Sequence, residues 1–89
     1  MIFEDLHARA LQDVLYTEQW ISDCRKVGVT KAQCEKFLEL AFEYAITTTR
    51  PNSEVMKEVM QKFKDMVILG MIKTDAPMRE VFSEFKRLS

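Results

Sequence analysis

Residues 55–72 read VMKEVMQKFKDMVILGMI, and this stretch decides the fold. It begins as an amphipathic helix. At about 100° per residue, Met56, Met60, Phe63, Val67 and Met71 fall on one stripe, flanked by Val59 and Met66. Towards its end the polarity disappears. Ile68 and Ile72 point away from the stripe, and Leu69 sits on the far flank. A short helix buries one face against its neighbours but rarely its whole circumference. The segment is therefore expected to be the central helix of a tight bundle, or to leave part of its surface for another chain.

The rest of the chain has the same helical grammar. Phe3, Leu6, Ala10, Val14, Ile21 and Cys24 recur at helical spacing, with Leu11, Leu15 and Trp20 alongside, which predicts a helix over residues 2–26. Thr17 is a candidate cap for a further helix if the first breaks near Tyr16; a continuous or slightly kinked helix is favoured. Gly28 suits the left-handed position that ends a helix. Thr30 and Gln33 form T-x-x-Q, a capping box that opens a helix over residues 31–46. That helix is expected to bury Cys34, Phe37, Leu38, Ala41, Phe42 and Ala45, with Glu35, Glu39 and Glu43 on its outer face. The stretch TTTRPN (47–52) reads as a loop, after which Asn52 or Ser53 caps the third helix. Lys73 to Pro77 closes that helix. Asp75 then caps a last one over residues 76–88, which presents Met78, Val81, Phe82, Phe85 and Leu88.

Composition agrees with this reading. The chain has 89 residues, only two Gly and two Pro, and 47% hydrophobic residues, which favours long helices over sheet. It is long enough for one core and too short for two. The formal net charge is −1, with acids and bases nearly balanced in both halves, so bulk charge points to neither nucleic acid nor anionic lipid. The longest apolar run, Met66 to Ile72, falls well short of the roughly 20 residues of a membrane span. The stretch MIFEDLHARA carries acids where a secretory leader has a basic region. Cys24 and Cys34 fit neither a disulfide framework nor a zinc pattern, and read as small buried hydrophobes in a reducing compartment. A cytoplasmic location is expected.

The pattern around Gly28 is the most specific local signal. Cys24 is a small residue four positions before it, Val27 and Val29 flank it, and Cys34 and Phe37 follow at apolar positions. This spacing resembles the helix-turn-helix family, in which a small residue lets two helices cross closely and the glycine makes the turn. The resemblance spans residues 18–37. It implies that Lys31, Ala32, Gln33 and Lys36 face the major groove, with Gln33 against adenine and the lysines on phosphate. Asp23 stands where that family places an apolar residue, and Glu35, Glu39 and Glu43 put acid on the same helix. A plain capped helix–helix corner is therefore preferred, with DNA binding as the alternative.

No catalytic chemistry is legible. His7 has no second ligand or nucleophile near it in sequence, and Glu4 with Asp5, or Glu35 with Glu39, reads as solvated face rather than an acid/base pair. No phosphate loop, nucleophile elbow, zinc helix or Ca²⁺ loop is present in the sequence, and no cofactor or metal is expected. Five of the six methionines lie between Met56 and Met78, where such flexible side chains serve cores and adaptable binding surfaces alike. The sequence thus predicts an all-α domain over residues 1–89, a compact bundle of four helices, or five if the first breaks. It predicts no enzyme. It predicts a small protein–protein interaction protein, an adaptor, inhibitor or chaperone-like subunit, acting by stoichiometric binding. The expected contact residues are Met66, Ile68, Leu69 and Ile72, joined by Met78 and Phe82, or else Tyr16 with Trp20. A symmetric homodimer would use the same surplus surface.

Overall fold

Breaks after Lys26, Ala45 and Ile68 divide the chain into α1 (Ile2–Lys26), α2 (Lys31–Ala45), α3 (Asn52–Ile68) and α4 (Met78–Leu88). The computed structural model describes the backbone of residues 2–89 and the side chains from Asp13 onward. The expectations at Phe3, Glu4, Asp5, Leu6, His7, Ala10 and Leu11 fall outside the described side chains. Among the described residues there is no strand.

The ends of the helices follow from local chemistry. α1 runs unbroken through Tyr16, so there is no fifth helix. Thr17 does not cap a new helix; its hydroxyl donates back to the Asp13 carbonyl at 2.9 Å, within the turn it occupies. At the other end of α1, the Val29 N–H donates to the Cys24 carbonyl (3.0 Å) and the Gly28 N–H to Arg25 (3.2 Å). This is a Schellman motif, with Gly28 at φ +95°. The capping box at α2 forms as the sequence predicts: Gln33 N–H donates to the Thr30 hydroxyl, and Thr30 N–H to the Gln33 side-chain oxygen.

The stretch 55–72 departs from expectation. α3 stops at Ile68 because a second Schellman motif intervenes: Met71 N–H donates to the Met66 carbonyl (2.8 Å) and Gly70 N–H to Val67 (3.1 Å), with Gly70 at φ +72°. The apolar circumference is therefore not helical. Its last four residues form a turn. A Cβ at Gly70 would meet nothing within 4 Å, so only the positive φ penalises a side chain there. Gly70→Ala should lower stability by about 1 kcal/mol, read as a shift in urea midpoint at constant slope. An unchanged midpoint would mean that the glycine does not set this helix end.

Two other caps differ from prediction. The cap positions of α3 and α4 are Pro51 and Pro77, and neither makes a side-chain cap bond. Asn52 is already helical, while Asp75 lies upstream of α4 and caps nothing. Proline's fixed φ starts both helices, and its carbonyl accepts the first-turn N–H groups of Glu54 and Val55, and of Glu80 and Val81.

Cross-helix pairs set the topology. Asp13 meets Lys57, Trp20 meets Met60 and Asp23 meets Lys64, so α1 and α3 run in the same direction. α2 returns between their opposite ends, and α4 runs back alongside it. The α2–α3 pair is central, with α1 packed on one side and α4 against α2 on the other. The core is aromatic at its centre. Phe37 stacks on Phe63 with centroids 4.1 Å apart, and Trp20, Phe82 and Phe85 close around them at 5.4–6.2 Å. The Trp20 indole N–H donates to the Met60 carbonyl at 2.7 Å, which satisfies its one polar atom inside the core. Phe42 is a correction. Predicted to be buried, it is 51% exposed, because Leu40 rather than Leu38 or Phe42 completes the buried arc of α2. Leu38 is only partly covered. Leu88, predicted on the inner face of α4, is likewise exposed.

Candidate partner-binding surface

At one end of the bundle four pieces of chain converge: the end of α1, the start of α2, the end of α3 and the loop 69–77. Two bonds hold them together. Lys64 Nζ pairs with Asp23 at 3.4 Å, which ties α3 to α1, and Gln33 Nε2 donates to the Thr74 carbonyl at 2.6 Å, which ties the loop to α2. Asp23's carboxyl is held below the usual carboxylate range, first by the Gln19 amide and then by Lys64.

The left-handed turn at Gly70 sorts the apolar residues around it. Ile68 and Met71 are each 56% exposed and Leu69 is 71% exposed, whereas Ile72 is 5% exposed and belongs to the core. Val27, beside the other Schellman glycine, is also exposed. Ile68, Leu69 and Met71 form an apolar tip at the end of α3, and Val27 is exposed at the end of α1, at the same end of the bundle. Met71, which helical spacing puts on the apolar stripe, leaves that stripe because the helix ends three residues before it. Val27 and Met71 were not among the predicted contacts. The signal for both is a glycine next to an apolar residue at a helix end, the same grammar at Gly70 as at Gly28.

The other predicted contact residues sit elsewhere. Met66, Met78 and Phe82 are buried with Ile72, and Trp20 is 2% exposed, so none of them offers a face to a partner docking on the folded chain. Trp20 packs against Phe37 of α2 and Phe63 of α3, and Phe82 packs against Phe37. Tyr16 is half-buried; its hydroxyl lies 3.4 Å from the Lys57 carbonyl, with the Lys57 ammonium 5.7 Å from the ring centre. With Phe42, Met56 and Met60 it lines a shallow apolar groove of about 290 Å³ between α1 and the α2–α3 pair. Val14 and Leu15 are exposed on the same stretch of α1.

The structure gives the residues of the helix-turn-helix resemblance local work to do. Gln33 spends both ends of its amide, accepting from Thr30 and donating to Thr74, and is half-buried. Lys36 pairs with Glu39 on the same helix, and Lys31 is exposed at the head of α2. Reading adenine would require Gln33 to give up its capping box and its bond to the loop.

No protein-family model, no curated protein and no solved structure matches the chain. Its own geometry must carry the functional reading. No helix of the described residues is long and apolar enough to cross a membrane. Among the described residues no cluster of His, Cys, Asp or Glu is placed to hold a metal ion, and no buried side-chain polar atom lacks a partner. An opening between α3 and the end of α4, lined by Tyr44, Arg50, Glu58 and Lys62, is spanned by the Arg50–Glu58 ion pair. That pair holds the Glu58 carboxyl below its ordinary range.

Cys24 and Cys34 are both fully buried where α1 meets α2. Burial, with Cys34 alongside, pushes the Cys24 thiol up to about 12, and burial pushes Cys34 in the same direction. The thiolate is the reactive form, so both groups are inert in the folded chain. The unfolded chain begins to lose these protons near the ordinary value of 9.0, whereas the folded chain keeps them to about 12. Stability from this source is therefore complete below pH 9 and falls as the pH rises towards 12. Urea titrations at pH 8 and pH 10 should show a smaller alkaline loss for Cys24→Ala than for the parent; equal losses would refute the assignment.

Proposed function

We propose that the protein acts by stoichiometric binding of another protein, and that the apolar tip formed by Ile68, Leu69 and Met71, with Val27 at the same end of the bundle, makes the contact. One observation carries this reading. Three large apolar side chains within four residues are held exposed by a defined turn, beside an Ile72 that the same turn buries. Large apolar residues clustered in this way on a small domain mark interaction surfaces more often than scattered single ones do.

The test is photo-crosslinking from a benzoylphenylalanine placed at position 69, with the same probe at the exposed Glu54 at the opposite end of α3 as control. The reading requires a discrete adduct of fixed stoichiometry from position 69 and none from position 54. Identical adduct patterns from both positions would overturn it. Light scattering across a concentration series, with Leu69→Lys alongside the parent, then separates a self-partner from a foreign one. A dimer made monomeric by the substitution identifies the second copy as the partner.

A further inference from the structure

The corner between α1 and α2 has a cysteine at each end. Cys24 stands in the last turn of α1 and Cys34 in the first turn of α2, and both are fully buried in one core cluster. Their thiols are hydrogen-bonding neighbours across the helix crossing. Small side chains let two helices cross closely, and alanine would serve that purpose as well; only cysteine also brings two sulfur atoms together. The segment that closes over them is thinly held. Between the two cysteines only Val29 is buried and Gln33 half-buried, and the rest of the corner is exposed. The reciprocal bonds between Thr30 and Gln33 lie at the surface. A segment with so few buried contacts and with exposed hydrogen bonds opens locally at less cost than the whole domain unfolds.

We propose that this corner is a redox latch: on local opening, Cys24 and Cys34 react with a low-molecular-weight disulfide, oxidised glutathione, and close as an intramolecular disulfide between α1 and α2. This device is independent of the binding reading above. While the corner is closed both thiols are inert, so opening sets the rate. Once open, one cysteine gives its proton to water and its thiolate attacks a sulfur of the oxidant. The oxidant's S–S bond breaks, and the first glutathione leaves as a thiolate that takes up a proton. The second cysteine, deprotonated in turn, attacks the cysteine sulfur of the mixed disulfide and releases the second glutathione. The two cysteines lose two electrons and two protons, and the oxidant gains both as two glutathione thiols. The new bond closes a short loop and restrains the unfolded chain, so the oxidised form should be the more stable one.

The test incubates the folded chain with oxidised glutathione and follows its intact mass without reductant. The product should be a monomer lighter by two hydrogens, with unchanged helical circular dichroism and a raised urea midpoint. Two glycine variants then locate the opening. Gly28 at φ +95° and Gly70 at φ +72° each leave open space for a Cβ, so alanine strains either turn to a similar degree. Only Gly28 lies in the corner. Gly28→Ala should speed disulfide formation about fivefold, and Gly70→Ala should leave it within about twofold of the parent. Equal rates in the two variants would place the oxidation outside local opening of the corner and overturn the latch. A persistent glutathione adduct, a linked dimer or no reaction would overturn it as well. So would a disulfide form with a lower urea midpoint than the reduced chain, since the crossing would then not accept disulfide geometry.

Discussion

Phe37→Ala should cost about 3–5 kcal/mol and lower Tm on the order of 15–30 °C, which leaves little margin in a domain of this size. Phe37 is fully buried in α2 and touches an aromatic ring from each of the other three helices: Trp20 of α1, Phe63 of α3, and Phe82 and Phe85 of α4. Removing it opens a cavity at the one point where all four helices meet. Neighbouring rings on three separate helices cannot collapse into that space together. Urea unfolding followed by far-ultraviolet circular dichroism and by Trp20 fluorescence provides the check. The two probes should shift together. A loss below about 1 kcal/mol would mean that the aromatic cluster is not the keystone of the packing.

Ile72→Lys should be nearly as damaging, at about 3 kcal/mol, while Leu69→Lys three residues away should stay within about 0.5 kcal/mol of the parent. Ile72 is 5% exposed and Leu69 is 71% exposed. A lysine at 72 must bury its ammonium among apolar neighbours or pull the loop out to reach water; at 69 it already stands in water. The difference depends on the turn at Gly70, which reverses the chain between the two positions. Equal stability of the two variants would show that the turn does not hold Ile72 inward. The Leu69 variant is also the one that should lose the partner, since it keeps the fold and changes only the tip.

The helices were legible in the sequence because their determinants are local. The box at Thr30 and Gln33 closes within one turn, and Gly28 ends α1 by a bond spanning five residues. The apolar stripe of α3 recurs every three or four positions. Such interactions involve residues close in the chain, so their spacing is a sufficient record of them. Gly70 was just as local and could have been read by the rule applied at Gly28. The uninterrupted apolar run on either side of it concealed a helix end that the glycine alone specifies. The prolines at 51 and 77 were readable as well, since their fixed φ starts each helix close to the expected polar cap, just before Asn52 and two residues after Asp75.

The candidate site was legible only in outline. A surplus of apolar side chains near the end of α3 is a property of composition, and the sequence located it between residues 66 and 72. Which of those residues face water depends on which helices cover them. Met66, Ile72, Met78 and Phe82 lie inside because α2, α4 and the returning loop close over them, and Trp20 because α3 offers it a carbonyl. Ile68, Leu69 and Met71 remain outside because, among the described residues, nothing covers the tip. The sequence by itself determined the four helices, their ends at Gly28 and Thr30, and the aromatic and methionine stripes from which the core is made. The tertiary structure alone decided that Phe42 and Met71 are exposed and that Gln33 is bound to the loop. Periodicity and capping are recorded in spacing along the chain. Burial and cross-helix bonding depend on residues some forty positions apart, and no local pattern records those.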